Sequence, residues 1–411
     1  MTMFKKIAST LLITASVLLL IPMEAAAHGE RAQQGSMRTR SVHWFDLEIQ
    51  PRQVAVNEVL TITGKFMPSE WWPEHIASIE DASFLNIGVP GPVFVRVDSR
   101  VNGVPMIRST RFELGRVYEY EIKLKGRTPG RYHAHPVISV EGAGPVIGPA
   151  LWVEVTGDQA DFEHTITTLT GETLNTETVA MGTIVGWNLL WFVIGIAWVG
   201  WWFRKLPVIM PRYIRVQQLG VDANRLITIP DMIVSFLFLT GTLLVIAVGF
   251  LWTQSNYPIT TPLQTGKVEV EPLPEPPPAV EIAIDEATYR IPGRSFQMEV
   301  TITNNTDSAL RIGEFMTANI RFINPKVLDV QPQDEDDLVA PNGLIVDASP
   351  IEPGETRTVS VFAEDALWET YRLTSLIYEP DSRFAGLLFL YDEEGNRYFQ
   401  EIGAPMIPTF V

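Results

Sequence analysis

Two regions of the chain alternate short apolar and polar positions in the manner of β-strands. Both contain runs rich in β-branched and aromatic residues, separated by Gly, Pro, Asn or Asp, as strands joined by turns are. In the first region, about 40–155, the clearest runs are 59–63, 93–97, 118–124 and 151–155. In the second they are 280–284, 296–302, 320–322, 356–361 and 386–390. The first region predicts an antiparallel β-sandwich, and the return of the pattern predicts a second β domain.

Two long apolar stretches without charged residues separate these regions, at 181–203 and 232–252. As helices rising 1.5 Å per residue, each would cross the roughly 30 Å hydrocarbon core of a bilayer. The loop 204–231 between them carries five Lys or Arg residues against two Asp residues. Such a positive loop is typical of the cytoplasmic side, so both β domains are expected on the opposite side of the membrane.

The first 27 residues have the pattern of a secretory signal peptide. Lys5 and Lys6 precede an apolar run at 7–21, and the Ala triplet 25–27 offers a cleavage site for the signal peptidase. The alternative is an uncleaved anchor, but the apolar run is short for a membrane span. Cleavage after Ala27 would make His28 the amino terminus of the mature chain.

The residues 258–279 are rich in Pro and Glu, which predicts an extended, semi-rigid spacer. The predicted organisation is a signal peptide at 1–27, a β domain at 28–172, membrane helices at 181–203 and 232–252, a linker at 258–279 and a β domain at 280–411.

Composition and charge exclude several classes of function. With 31 basic and 48 acidic residues, the net charge of −17 argues against nucleic-acid binding, which needs a basic surface. The absence of Cys excludes disulfides, thiolate zinc sites, iron–sulfur clusters and Cys-ligated blue copper. A metal in this protein would therefore be held by His, carboxylate, Met or backbone groups.

Two histidines in the first β region form the clearest candidate metal site. His133 and His135 stand two residues apart on a predicted strand, where alternate side chains project from the same face. They could serve as a preformed pair of nitrogen ligands or be an ordinary half-exposed pair. A mature amino-terminal His28 would add two further nitrogens, its α-amine and its imidazole, unless that terminus is simply frayed. Nitrogen-rich sites of this kind favour Cu(II), with nickel and zinc as rivals.

His43 is a weaker candidate for metal binding, because it stands in the aromatic segment Val42-His43-Trp44-Phe45. It could be a partly buried histidine among aromatic residues or a ligand of an additional metal site.

Dispersed motifs along the mature chain resemble the B subunit of the copper-containing membrane monooxygenases, the family of particulate methane monooxygenase and ammonia monooxygenase. The matching segments include 28–30, 42–47, 86–94, the His133/His135 pair, 144–149, 169–173, 257–260, 313–315, 380–388 and 404–408. Matches in so many places and in one order are highly specific.

The resemblance implies two cupredoxin-like β-sandwich domains joined by two transmembrane helices. It also implies that copper is bound by His28, His133 and His135. The second domain contains no His, so it is expected to lack a metal site of its own. An additional copper site in some relatives pairs a residue matching His43 with a Gln, where this chain has Glu401.

The resemblance further implies assembly with two other membrane subunits, A and C, as a trimer of heterotrimers. The implied location is a bacterial inner or intracytoplasmic membrane, with both β domains in the periplasm and the helices in the lipid bilayer.

The implied reaction uses O₂ to hydroxylate a small substrate, either methane or a short alkane to an alcohol or ammonia to hydroxylamine. The alternative is a non-catalytic scaffold stabilised by copper, with the active site in a partner membrane subunit. A copper-delivery protein is a third class, which the large second β domain disfavours.

Overall fold

A computed structural model describes residues 33–204, 209–257, 266–291, 295–334, 337–347, 349–370, 376 and 382–410 of the protein. The mainly β fold class with two long apolar helices, predicted from the sequence, is confirmed. The chain divides into two compact units. One contains the described residues up to Phe162 together with those from Gly266 onward, and the other contains the described residues between Glu163 and Tyr257.

The first unit begins with a short helix followed by a β-sandwich. The helix α1 spans Gly35–Arg40. One sheet, in the order β1-β3-β7-β5-β6, contains Val42–Gln50, Val59–Pro68, Tyr118–Gly126, Phe94–Val101 and Val104–Pro105. The other, in the order β2-β10-β8-β4, contains Gln53–Ala55, Leu151–Thr156, Gly130–Val140 and Ser83–Gly88, with β9 (Gly144–Ile147) paired to β8.

The alternating pattern of the strands explains how this sandwich packs. Along β7, residues 118, 120, 122 and 124 are all buried and belong to the core of the sandwich. The residues between them, 119, 121, 123 and 125, are more exposed, and all four are Glu or Lys. Because side chains of a strand alternate between its two faces, one polar face and one apolar face follow directly from the sequence.

A second β-sandwich belongs to the same compact unit. One sheet, in the order β18-β19-β14-β13-β22, contains Leu344–Ile345, Thr356–Glu364, Ser295–Asn304, Val280–Ile291 and Ile407–Phe410. The other, in the order β17-β16-β15-β20-β21, contains Val339–Ala340, Ile320–Ile323, Arg311–Thr317, Arg383–Tyr391 and Arg397–Pro405. A short helical turn spans Leu367–Thr370.

The two sandwiches share a small apolar core. Phe45 and Met67 from the first pack with Met316, Leu387 and Phe389 from the second. Both sandwiches thus bury part of their surface against each other, in addition to their own cores.

The linker contacts the first sandwich. Its described part, residues 266–279, is extended, as the proline content predicts, but Val270 is buried in the core of that sandwich. The Val268 amide donates to the Ser109 carbonyl at 2.8 Å, and the Leu273 amide donates to the Val117 carbonyl at 2.9 Å. This part of the linker therefore packs along the first sandwich.

The second unit is a small hairpin followed by helices. The hairpin pairs β11 (Thr165–Thr167) with β12 (Thr173–Asn175). The helices are α2 (Met181–Phe203), α3 (Ile209–Leu219) and α4 (Ile229–Asn256), with a 3₁₀ segment at Gly220–Leu226. By length and composition, α2 and α4 could each cross a membrane. The helix α4 begins before the predicted apolar run, because Thr228 and Asp231 form a capping box at its start.

Candidate metal centre

Strand β8 presents His133 and His135 on one face. Ala134, between them, points into the core of the first sandwich, so both histidines project from the opposite face of the sheet. Their ring centroids are 5.3 Å apart and the rings are nearly perpendicular, at 83°. Both residues are nevertheless buried, with 8% and 5% exposure. The structure thus brings the two predicted ligands together in a site shielded from water.

A backbone carbonyl determines which nitrogen of His135 can bind a metal. The Nδ1 atom lies 3.0 Å from the Gly148 carbonyl oxygen. Because a carbonyl oxygen only accepts hydrogen bonds, Nδ1 carries the proton and donates it. In the neutral imidazole the lone pair is then on Nε2. Metal-binding histidines are commonly oriented in this way, by a hydrogen bond from the ring nitrogen that does not bind the metal.

Gly148 can hold this position because it has no side chain. A Cβ atom there would lie 2.8 Å from Pro136 Cγ and 2.9 Å from Trp44 Cδ2, distances that real Cβ atoms do not show. Only glycine at this position therefore lets the turn between β9 and β10 come close enough for its carbonyl to accept the hydrogen bond from His135.

An aromatic ring holds His133. Trp152, its register partner on β10, has its ring centroid 4.2 Å from that of the imidazole, and the two planes are tilted by 35°. The guanidinium carbon of Arg131 lies 4.3 Å from the Trp152 ring centroid. Trp152 thus contacts both a histidine and an arginine of the neighbouring strand.

The side chain of Gln33 contacts the strand next to this site. The Gln33 side-chain amide donates to the Pro145 carbonyl, and its oxygen accepts from the Ile147 amide at 3.3 Å. These contacts attach the start of the described chain to β9, one residue before Gly148. His28 itself, like the predicted signal peptide 1–27, lies outside the described residues. Within the described residues, no group of three or more His, Asp or Glu side chains is placed to hold a metal.

The second pair of predicted residues also meets, away from β8. His43 on β1 and Glu401 on β21 are both buried, and His43 Nε2 lies 2.8 Å from Glu401 Oε1. The same oxygen accepts from the Ser69 hydroxyl, and Oε2 accepts from the Glu70 amide at 2.9 Å. The pair links the two sandwiches, and both carboxylate oxygens already accept hydrogen bonds.

Three residues that contact the His133/His135 site or the strand beside it were not predicted from the sequence: Gln33, Gly148 and Trp152. Gly148 stands in the segment Gly144-Pro145-Val146-Ile147-Gly148-Pro149, which contributed to the resemblance but had no assigned role. Trp152 occupies a predicted strand, but only the register of β8 against β10 shows that it lies opposite His133.

Comparison with known proteins gives matches over nearly the whole chain. A family model, described as the B-subunit protein of a monooxygenase, matches residues 29–410. The particulate methane monooxygenase alpha subunit of Methylococcus capsulatus is 45% identical over 389 residues, covering 94% of this chain and 93% of that protein.

Two solved structures give weaker likenesses. The cupredoxin domain of amoB from Nitrosocaldus yellowstonii is 16% identical, covers 30% of this chain and 91% of that chain, and has a TM-score of 0.24. A protein of unknown function from Porphyromonas gingivalis W83 is 9% identical, covers 87% of this chain and 99% of that chain, and has a TM-score of 0.19. At these scores neither structure bears on the function.

Proposed function

Since this chain belongs to the monooxygenase B-subunit family, we propose that it is the copper-binding member of a membrane-bound monooxygenase complex. The reaction of the complex is the hydroxylation of a small substrate with O₂, either methane or a short alkane to an alcohol or ammonia to hydroxylamine. The proposed partners are two further membrane subunits, A and C, in a trimer of heterotrimers.

The single observation that carries copper binding is the arrangement of His133 and His135. Two buried imidazoles share one face of a strand, and the Gly148 carbonyl leaves the lone pair of His135 on Nε2. Nitrogen ligands of this kind suit copper better than magnesium or calcium, which prefer oxygen ligands. When bound, copper would supply redox chemistry with O₂. The chain's own part is to orient the ligands and to exclude water.

His28 is proposed as the third ligand. Gln33 is attached to β9 beside Gly148, and His28 precedes Gln33 by only five positions in the chain. A chain of this length spans at most about 18 Å, so His28 is within reach of the histidine pair. An amino-terminal histidine would complete a site with three or more nitrogens.

The test is copper binding by the full-length chain purified in detergent. We compare the chain processed to begin at His28 with a variant carrying one additional Ala before His28, and confirm both termini by mass spectrometry. The expected result is bound copper with a nitrogen-ligand signature in the Cu(II) electron paramagnetic resonance (EPR) spectrum, lost in the extended variant. His133→Ala and His135→Ala should also lose it. His75→Ala, outside the proposed site in the same sandwich, is the matched control. Equal copper in all of these chains would refute the proposal.

A copper-stabilised scaffold is the second candidate function. Its supporting observation is that Gln33 already attaches the start of the described chain to β9, so a metal bound by His28 would fasten the same segment more tightly. In the assembled complex, His133→Ala should abolish turnover if the copper is catalytic. If the copper is structural, the remaining activity should follow the amount of intact complex.

The proposed location is a bacterial inner or intracytoplasmic membrane, with both sandwiches in the periplasm. It rests on the positive loop 204–231 and on the two apolar helices that flank it. Because the chain has no Cys, a single introduced cysteine can report the side of the membrane. In intact cells, Val221→Cys should be protected from a membrane-impermeant maleimide, and Ile107→Cys should react. Both positions are exposed. The opposite pattern would overturn the assignment.

A further inference from the structure

The second sandwich reaches the histidine pair through the turn between β15 and β16. Ala318 and Asn319 form this two-residue turn, both with positive φ, at 51° and 66°. The Asn319 side chain donates to the Ile147 carbonyl at 3.3 Å. Ile147 directly precedes Gly148, whose carbonyl accepts the hydrogen bond from His135. A turn of the second sandwich therefore contacts the backbone that orients His135.

A second path reaches His133. Asp334, in the loop between β16 and β17, accepts from the Arg131 guanidinium at 3.0 Å. The Arg131 guanidinium lies over the Trp152 ring at 4.3 Å, and the Trp152 ring packs against that of His133 at 4.2 Å. Asp334 also pairs with Arg52, at 3.3 Å. The second sandwich thus contacts the supports of both histidines, although all six histidines of the chain precede its first strand.

We propose that the second sandwich positions the metal ligands of the first, with Asn319 and Asp334 as the positioning residues. This inference rests on the proposed copper site. Asn319 restrains the turn that carries Gly148 and so restrains the His135 ring. Asp334 restrains Arg131, which limits the movement of Trp152 against His133. Such outer contacts are known to set the orientation of metal-binding histidines.

Asn319 suits this role because its conformation is special. Both residues of a two-residue turn of this type need positive φ, which glycine, asparagine and aspartate tolerate best. Replacing Asn319 by Gly would keep the turn and remove only the amide that reaches Ile147. This substitution therefore separates the contact from the fold of the turn.

The experiment measures Cu(II) in full-length chains beginning at His28 and purified in detergent, by affinity competition and by EPR. Asn319→Gly and Asp334→Asn should each raise the dissociation constant for Cu(II) about 10-fold. This is the lower end of the usual range when a residue that supports a metal ligand is replaced. Both substitutions should also change the Cu(II) hyperfine splitting. Asp334→Glu, which keeps the carboxylate, should restore much of the affinity.

Arg52→Gln is the matched control. Arg52 also pairs with Asp334 across the two sandwiches, so this substitution removes a contact of the same kind. The contact between Arg131 and Trp152, which leads to His133, is left in place. Its copper spectrum and affinity should equal those of the unmodified chain. Unchanged spectra and affinities in Asn319→Gly and Asp334→Asn would overturn this inference and leave the copper site standing. An unmodified chain that binds no copper would overturn the proposed function, and this inference with it.

Discussion

At the scale of single residues, His43 is bound by a partner from the other sandwich. The side chain of His43 ends against Glu401, and Glu401 also accepts from Ser69 and the Glu70 amide. A buried carboxylate with three donors around it is well satisfied, and so is the histidine that contacts it. The pair therefore stabilises the contact between β1 and β21 whether or not a metal binds there.

Removing the carboxylate should destabilise this interface. In Glu401→Ala, His43 and the Ser69 hydroxyl lose a buried partner, and we expect a loss of about 3 kcal/mol in the free energy of unfolding. Glu401→Gln keeps one oxygen acceptor for His43 and Ser69 but turns an NH2 group toward the Glu70 amide, so it should cost less than Glu401→Ala without matching the unmodified chain. Urea denaturation of the purified chain in detergent measures both. Equal losses in the two variants would show that the carboxylate charge and not the missing partner dominates.

At the scale of elements, a buried aspartate contributes to the contact between helices α2 and α4. Asp231 is fully buried; its Oδ1 accepts from the Trp201 indole at 3.1 Å, and its Oδ2 accepts from the Thr228 amide at 2.8 Å. The first contact joins the two helices, and the second caps α4. An acidic residue in this first turn also interacts favourably with the helix dipole.

Replacing Asp231 by Ala should weaken the helix pair. The substitution removes the Asp231 half of the capping box and an interhelical hydrogen bond, together about 2 kcal/mol. The melting temperature followed by circular dichroism at 222 nm should fall. Asp222→Ala is the control, because Asp222 makes an exposed ion pair with Arg225, and such pairs contribute little. A melting temperature lowered equally by both substitutions would contradict the role assigned to Asp231.

At the scale of the whole molecule, charges as well as the shared core join the two sandwiches. The strand β1 has an irregular register between Phe45 and Glu48, and Asp46 there adopts a positive φ of 54°. Its carboxylate accepts two hydrogen bonds from Arg397, both 2.7 Å long. Burial raises the pKa of Asp46, but Arg397 and Lys65 outweigh it and hold that pKa below its ordinary value.

The lowered pKa of Asp46 predicts a pH-dependent contribution to stability. A carboxylate with a lower pKa in the folded state stabilises fully above its unfolded pKa, near 4, and loses that contribution as the pH falls through the folded pKa. The melting temperature of the unmodified chain should therefore exceed that of Asp46→Asn by a constant amount from about pH 7 to about pH 5. The difference should shrink below about pH 4.

Asp307→Asn, in a loop of the second sandwich, controls for the loss of one negative charge. If the difference in melting temperature between the unmodified chain and Asp46→Asn persists unchanged into strong acid, it does not come from the lowered pKa of Asp46.

Local periodicity was sufficient to predict much of this protein. A period of two predicted the strands and placed His133 and His135 on one face, and uninterrupted apolar runs predicted α2 and α4. Each of these features depends on residues close together in the chain. The helix α3 within the loop and the packing of the linker on the first sandwich were not predicted, since neither follows from an apolar period.

No local pattern shows which distant residues meet, and only the resemblance had paired His43 with Glu401. His43 and Glu401 are 358 positions apart, Asn319 and Ile147 are 172 apart, and Arg131 and Asp334 are 203 apart. Such contacts depend on strand register and on how one sandwich packs against the other, and no local pattern encodes either. The sequence by itself determined the elements and the candidate ligands. The folded chain determined how these ligands are oriented, because the groups that hold them come from other strands and from the second sandwich.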